Sequence, residues 1–315
     1  MHWLVGLDEA GYGPNLGPLV QAAVATRVPD EVDCLWDQYS AVFCRAGEAA
    51  NGRLVIDDSK LIYSAANGLI ALETGVLVAL GYARDATIPL GELIDKLSSN
   101  WTQSCRNEVW FDPSEELPFA TDLANLMVFG LRGEAEEQPC FPHVSCCVTQ
   151  TSRFNDLIER HGSKAGPLAE GVISLLGAKL AALPTGEPVR FVIDKQGGRN
   201  FYAPMIQTAM PDGWVIAERE TATESTYRVE GLGRDIRLIF KPRAERDCLP
   251  VALASMLAKY LREAFMRQFN RYWATHVPGI KPTAGYPGDA KRFYAEIRGA
   301  MEKLGLREDE VWRKR

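Results

Sequence analysis

Two adjacent carboxylates, Asp8 and Glu9, follow a short apolar run at residues 3–7. The apolar run predicts a buried strand, which places the two acids at its carboxyl end. Successive strand side chains point to opposite faces, so the two acids share a face only if the strand bends there. Gly11 and Gly13 permit such a bend, because glycine tolerates positive φ and close backbone approach. Paired carboxylates in this position suit a hard cation such as Mg²⁺.

A simpler interpretation of the same stretch is an acidic surface turn, because Asp, Gly and Pro are ordinary turn residues. A dinucleotide-binding loop is disfavoured, since Pro14 and Pro18 oppose a helix after the glycines and the acid pair would repel a pyrophosphate. A second apolar strand, at residues 188–194, also ends in an acid, Asp194. Acids at the ends of neighbouring strands of one sheet converge in space, which favours the metal-site interpretation.

Five stretches resemble, in order, the motifs of type 2 and type 3 ribonucleases H. They are Gly6-Leu-Asp-Glu-Ala-Gly-Tyr-Gly-Pro14, Asp58-Ser-Lys60, Phe191-Val-Ile-Asp194, Val251-Ala-Leu-Ala-Ser-Met-Leu-Ala-Lys259 and Gly285-Tyr-Pro287. The resemblance implies a divergent, ribonuclease HII-like protein. It also implies an α/β, ribonuclease H-like fold, with a central mixed β-sheet flanked by helices.

The resemblance further implies a two-metal site for Mg²⁺ or Mn²⁺ that hydrolyses phosphodiesters. Its metal ligands would be Asp8, Glu9, Asp194 and a fourth acid shortly before Ser255. An ungapped match places Glu245 there, whereas Asp247 has the family's more usual side chain but requires a gap. Either acid is also explained as a helix-start carboxylate favoured by the helix dipole. The substrate-binding residues implied are Gly11, Tyr12, Gly13, Lys60, Ser255, Lys259 and Tyr286.

Tyr12 stands where type 2 enzymes have arginine in Asp-Glu-Ala-Gly-Arg-Gly-Pro. A neutral ring cannot make the forked, charge-assisted contacts of a guanidinium. The resemblance implies a metal-dependent endonuclease that cuts the RNA strand of RNA–DNA hybrids or ribonucleotides embedded in duplex DNA. The alternatives are a catalytically weak or inactive nucleic-acid-binding protein on the same fold, or a nuclease for another nucleic-acid structure. Four more cations are either phosphate contacts or ordinary surface charges: Lys195, Arg199, Lys241 and Arg243.

The composition is that of a soluble globular protein, with 46% hydrophobic and 24% charged residues. The net charge of −6 is not that of a strongly basic nucleic-acid binder, although a local basic groove is compatible with it. Seven cysteines without a Cys-x-x-Cys pair favour reduced thiols and a cytoplasmic location, and four scattered histidines disfavour a zinc site. No apolar run approaches the ~18 residues of a membrane span, so we expect no membrane association. The oligomeric state stays open.

Alternating strands and helices predict the α/β class. Helices are predicted at 32–43, 65–80, 166–183, 249–269 and 290–304, and strands at 18–28, 143–149, 214–219 and 237–241, besides the two that end in acids. Ser59 is predicted to cap the helix after it. The polar stretch between 219 and 237 is predicted to be a loop, 195–200 a flexible basic turn, and 312–315 a frayed basic tail.

We predict one catalytic domain over residues 1–315, interrupted at about 84–142 by a mainly irregular or helical insertion. Long loop insertions are tolerated because closure entropy rises slowly with length. We therefore expect this segment to lie outside the central sheet and to be removable without unfolding the protein.

Overall fold

The computed structural model describes residues 1–30, 35–64, 68–82, 87–98, 105, 107–122, 126 and 143–314. Its strands are β1 (His2–Ala10), β2 (Leu19–Val28), β3 (Phe43–Cys44), β4 (Leu54–Val55), β5 (Ile88–Pro89), β6 (Glu116–Leu117), β7 (His143–Thr149), β8 (Val189–Asp194), β9 (Trp214–Glu220), β10 (Ser225–Glu230) and β11 (Ile236–Lys241). Its helices are α1 (Leu35–Gln38), α2 (Ser59–Ile62), α3 (Ile70–Ala79), α4 (Leu90–Leu97), α5 (Thr151–His161), α6 (Ala165–Ala182), α7 (Ala203–Ala209), α8 (Leu249–His276), α9 (Pro287–Leu304) and α10 (Glu308–Val311), with a 3₁₀ turn at Ala244–Arg246.

A seven-stranded mixed sheet forms the centre, in the order β7-β2-β1-β8-β11-β10-β9. The three inner strands β1, β8 and β11 run parallel, whereas β2 and β7 on one side and β10 and β9 on the other pair antiparallel. The carboxyl ends of the three parallel strands therefore meet at one edge. A mixed central sheet with helices on its faces confirms the predicted fold class.

Helices cover both faces of this sheet. On one face, α8 packs against β1 and β2 and α3 packs on α8, and on the other face α6 and α7 enclose a second apolar core. Gly6 brings α8 close to β1, because a Cβ at that position would lie 2.2 Å from the backbone nitrogen of Val251. This close approach seats the first turns of α8 directly behind the acid-bearing end of β1.

Helix α6 is long and apolar enough, by length and composition alone, to cross a membrane. It packs instead on the sheet, with Leu168, Val172, Leu175 and Leu176 buried in the cores that it shares with the strands. Its apolar character is therefore accounted for by burial inside the protein.

Several sequence-based element predictions need correction. The polar stretch between 219 and 237 contains strand β10, whose pattern alternates buried and partly exposed residues. Asp58, not Ser59, caps α2, since its carboxylate accepts the N–H of Lys60 at 3.0 Å. The predicted helix at 32–43 is reduced to α1, and the one at 65–80 begins at Ile70; residues 31–34 and 65–67 lie outside the described residues.

The predicted insertion at 84–142 is described in part, at 87–98, 105, 107–122 and 126, and the rest lies outside the described residues. Strands β5 and β6 pair with each other and not with the central sheet. Yet Leu90, Leu93 and Leu117 are fully buried in the same apolar core as α8 and β2. The described part of the segment therefore contributes side chains to the main core, and its removal without unfolding stays a prediction.

Candidate active site

The acid-bearing edge is set by the register of the parallel strands. Leu7 of β1 pairs with Ile193 of β8, so Asp8 and Asp194 follow at the same level of the sheet. Lys241 of β11 pairs with Asp194 in turn. The register thus brings together two acids that are 186 positions apart in sequence, because 194 − 8 = 186.

Asp8 is partly buried at this edge. Burial, then the charges of Glu9 and Asp194, raise the pKa of its carboxyl group, while a hydrogen bond with Ser255 opposes the shift. The N–H of Glu9 also donates to Asp8 Oδ1 at 2.7 Å. The Ser255 hydroxyl is in turn 3.1 Å from the Ser59 hydroxyl, which ties α2 and α8 to the same point.

Glu9 has the clearest electrostatic signature among these acids. Burial and the neighbouring charge of Asp194 raise the pKa of Glu9 to about 7, against a smaller opposing effect of Lys60. Strand β1 stays paired with β2 through Ala10, so the bend falls after the acids and not between them. Asp8 and Glu9 therefore leave the strand toward opposite faces.

Asp194 and Glu245 form the other half of the group. The N–H of Ala244 donates to Asp194 Oδ1 at 3.1 Å, in a turn that Arg243 enters with a left-handed φ of 58°. Burial raises the pKa of Asp194, and burial followed by Asp194 and Asp58 raises that of Glu245. A strained, non-glycine residue at this turn is the kind of backbone feature that active sites hold in place.

The geometry favours Glu245 over Asp247 as the fourth acid. Glu245 is buried and feels the charge of Asp194, whereas the Asp247 side chain is 70% exposed. Asp247 is instead paired with Lys241 at 2.8 Å. This pair also occupies the Lys241 ammonium, which had been a candidate for phosphate contact.

The donor set of this edge fits a hard divalent cation, because it consists of carboxylate oxygens that repel one another. Within the described residues, however, no group of three or more His, Cys, Asp or Glu side chains is arranged to hold a metal ion. Binding a cation would therefore require these side chains to converge.

Lys60 extends over the same group from the start of α2. Its side chain is 88% exposed. Partial burial would lower the pKa of Lys60, but Asp58, Asp8, Glu245 and Asp194 together raise it. The ammonium group is thus an accessible positive charge beside the buried carboxylates.

The glycine turn after β1 brings Tyr12 to the rim of the site. Gly11 has φ of 89°, and a Cβ there would strike the Arg262 side chain at 2.8 Å. Burial and then Glu9 raise the pKa of Tyr12, and Arg199 opposes this, so the ring lies near both charges. The Lys164 ammonium lies 5.0 Å from the centre of the Tyr12 ring.

Tyr286 is half exposed beside Gly13, whose Cβ would lie 3.8 Å from the Tyr286 ring. The Arg262 guanidinium lies 5.7 Å from the centre of that ring. Lys259, by contrast, is largely buried and donates to Glu263 at 2.5 Å. Contact between Lys259 and a phosphate would therefore require that pair to open.

The expected basic turn at 195–200 is also more constrained than predicted. Lys195 is buried, and its ammonium group donates to Asn200 Oδ1 at 2.9 Å and to the carbonyl oxygen of Thr221. Arg199 lies close to Tyr202 and Met205. Lys195 is therefore a structural anchor for the loop rather than a free surface charge.

The prediction of a frayed basic tail is wrong for residues 312–314. Arg313 is fully buried and donates to the carbonyl oxygens of Gly11, Tyr12 and Pro14. Residue 315 lies outside the described residues. Sequence reasoning missed Arg313 because four terminal residues rich in cations carry the usual pattern of a solvated end.

Comparisons with known proteins give no match to a protein-family model and none to a curated protein. Among solved structures, the chain is similar to ribonuclease H2 from Pyrococcus horikoshii OT3, with 16% identity and a TM-score of 0.48, over 98% of this chain and 92% of that one. It is similar to the structure of the PCNA:RNase HII complex from Archaeoglobus fulgidus, with 14% identity and a TM-score of 0.44, over 99% and 94%.

A third similar structure is that of Bst-RNase HIII in complex with Mn²⁺, with 16% identity and a TM-score of 0.41, over 99% of this chain and 66% of that one. All three similarities span nearly the whole chain at 14–16% identity. The activity and the substrate of this protein must be inferred from its own residues.

Proposed function

We propose that this protein is a metal-dependent endonuclease that hydrolyses the RNA strand of RNA–DNA hybrids or ribonucleotides embedded in duplex DNA. The observation that carries the proposal is the gathering of Asp8, Glu9, Asp194 and Glu245 at one sheet edge, where burial and the charges of neighbouring acids raise their pKa values. Buried carboxylates without a compensating cation are costly, and a divalent ion would relieve that cost.

These four acids would hold Mg²⁺ or Mn²⁺. The bound ion would activate water and stabilise the charge that develops on the phosphodiester. Ser255 lies beside the Asp8 carboxylate and lowers its pKa, and Lys60 offers an exposed ammonium to the phosphate. Tyr12 and Tyr286 present ring faces at the rim, which suits a sugar or base of a nucleic acid.

A second candidate is a nucleic-acid-binding protein on this fold with weak or no catalysis. It is favoured by the lack of a ready metal-binding group within the described residues. Tyr12 in place of arginine favours it as well. A nuclease for a different nucleic-acid structure, such as a junction, fits the same acids.

One assay separates these candidates. Labelled RNA–DNA hybrid, duplex DNA with a single ribonucleotide, plain duplex DNA and a branched junction are each incubated with Mg²⁺, Mn²⁺ or EDTA. The proposal expects cation-dependent cleavage of the two ribonucleotide-containing substrates, lost in Asp8→Asn. Binding without cleavage supports the second candidate, and cleavage of the junction alone supports the third.

A cytoplasmic location and a nucleic-acid partner belong to the same proposal. Among the described residues, five cysteines form no disulfide, as expected in a reducing compartment: Cys44, Cys105, Cys146, Cys147 and Cys248. Cys34 and Cys140 lie outside the described residues. Burial raises the pKa of the Cys146 thiol, which makes it an unreactive core residue.

A further inference from the structure

Arg313 lies in the interior beneath the glycine turn at 11–14. Its Nε donates to the carbonyl oxygen of Pro14 at 3.1 Å, and Nη2 donates to that of Gly11 at 2.6 Å. Nη2 also contacts the carbonyl oxygens of Tyr12 and Pro14. One guanidinium thus binds three main-chain oxygens of the turn that carries Tyr12.

The surroundings of this guanidinium are unfavourable to its charge. Burial, followed by the charge of Arg262, lowers the pKa of Arg313 to about 9. Its Nη1 has no hydrogen-bond partner among the described residues. A buried charge with incomplete hydrogen bonding lowers stability. We therefore expect such a charge where it holds other groups in position.

The residues around Arg313 are fixed to the same turn. The N–H of Arg313 donates to the carbonyl oxygen of Asn15 at 2.8 Å, and Asn15 Nδ2 donates back to the carbonyl of Arg313 at 3.3 Å. The guanidinium also lies 4.3 Å from the centre of the Phe154 ring. The N–H of Lys314 donates to Asn155 Oδ1 at 2.7 Å. Segment 311–314 is therefore held between the glycine turn and α5.

Arg262 supports the turn from a second side. It is fully buried, donates to the carbonyl oxygen of Ala284 at 2.7 Å, and touches the place where a Gly11 side chain would be. The Nη1 of Arg262 donates to Glu263 Oε1 at 3.0 Å. Two buried guanidinium groups thus lie behind the turn and behind Tyr286.

The direction of these hydrogen bonds decides what the turn presents. In a planar trans peptide the N–H points away from the carbonyl oxygen of the same unit. Because the carbonyls of Gly11 and Tyr12 point to Arg313, the N–H groups of Tyr12 and Gly13 point away from it, toward the rim of the site.

We infer that Arg313 is a positioning residue, which fixes the glycine turn so that the main-chain N–H groups of Tyr12 and Gly13 and the Tyr12 ring face a bound nucleic-acid strand. This inference rests on the proposed function for its ligand. It assigns Arg313 no contact with the ligand, since the side chain is fully buried.

The test compares Arg313→Met, Arg313→Lys and Lys314→Met with the unmodified chain. Lys314 is the matched control, because it is the neighbouring cation and its side chain pairs with Glu159 at the surface. Hydrogen exchange of the Asn15 amide, which lies at the end of the turn and donates to the carbonyl oxygen of Gly285 at 2.8 Å, is measured against that of strand β1. Binding of a labelled RNA–DNA hybrid in EDTA is measured by fluorescence anisotropy.

Arg313→Met is expected to speed exchange at Asn15 about tenfold, with β1 unchanged, and to weaken binding about tenfold because the turn loses the charge-assisted hydrogen bonds that fix it. Arg313→Lys should recover part of both effects, and Lys314→Met should show neither. Unchanged exchange in Arg313→Met would overturn the inference, as would equal acceleration in β1, which marks general destabilisation.

The two proposals fail in different ways. If the unmodified chain binds no hybrid, the proposed function is wrong, and the exchange measurement still decides whether Arg313 positions the turn. If the chain binds hybrid and Arg313→Met binds it equally well, the proposed function stands and the role of Arg313 is refuted.

Discussion

Asp8 is the side chain on which the proposed chemistry depends most directly. Its carboxyl group is buried and repelled by Glu9 and Asp194, so its charge is not what keeps the fold together. We expect Asp8→Asn to reduce cleavage by at least about a hundredfold, more than the loss of an outer-shell partner produces. The melting temperature should stay level or rise, because a buried charge is removed. Cleavage assays and thermal unfolding measure both; parallel losses of activity and stability would mean that Asp8 is structural.

Tyr12 is where the chain departs most from the type 2 motif. We expect Tyr12→Arg to increase cleavage of a single-ribonucleotide duplex more than that of a continuous hybrid, because a guanidinium offers a fork of donors. Lys164 lies 5.0 Å from the Tyr12 ring and would repel the new charge. The gain should therefore be larger in Tyr12→Arg with Lys164→Ala. If Tyr12→Arg destroys activity on every substrate, tyrosine belongs to a different recognition scheme.

The side chain of Glu73 attaches the 116–122 segment to the helices of the main core. It is fully buried in α3 and accepts the N–H groups of Phe119, Ala120 and Thr121 and the hydroxyl of Tyr260. One carboxylate thus joins residues 119–121, which follow β6, to α3 and α8. The described part of the predicted insertion is consequently attached to the main core.

We expect Glu73→Ala to lower the free energy of unfolding by about 3 kcal/mol, because it strands several buried donors. Glu92→Ala is a suitable control, since Glu92 is exposed and pairs only locally with Lys96 at 2.8 Å. Urea denaturation measures both. A loss below ~1 kcal/mol, the scale of a surface ion pair, would show that the segment is loosely attached after all.

The response of the whole molecule to pH follows from two buried carboxyl groups. The pKa of Glu9 is raised from 4.5 to about 7 by burial and Asp194, and that of Glu108 to about 8 by burial and Glu310. In the unfolded chain both groups ionise near 4.5, so the unfolded state releases these protons first. The contribution of each group to the free energy of unfolding is therefore complete below about pH 4.5. It is lost as the pH rises toward 7 for Glu9 and toward 8 for Glu108.

In EDTA, the melting temperature should accordingly fall as the pH rises from 5 to 8. This fall should be smaller in Glu9→Gln and in Glu108→Gln than in the unmodified chain. Excess Mg²⁺ should recover the Glu9 part alone, because a cation at the acid edge favours ionised Glu9 and does not reach Glu108. The stabilisation by Mg²⁺ should thus grow with pH and persist in Glu108→Gln. Stabilisation that is independent of pH, or retained in Asp8→Asn, would contradict a cation site at these acids.

The sequence alone determined the elements whose signals are local. The apolar runs before Asp8 and Asp194 form β1 and β8, and the long helix expected at 249–269 is α8, which continues to His276. Strand and helix periodicities are written in neighbouring residues, so they can be recognised without the fold. Strand β10 was missed because only Tyr227 and Val229 carry its apolar alternation, and the polar residue Ser225 takes the third buried position.

Only the tertiary structure decided which charges are free and which are paired. Lys259 is held by Glu263, Lys241 by Asp247, and Lys195 by the carbonyl of Thr221, so these cations do not lie open as a sequence pattern suggests. Arg313 is the strongest case, since it binds Gly11 across 302 positions. The partner of a charged side chain is set by which distant segments meet in space, and no local pattern carries that information.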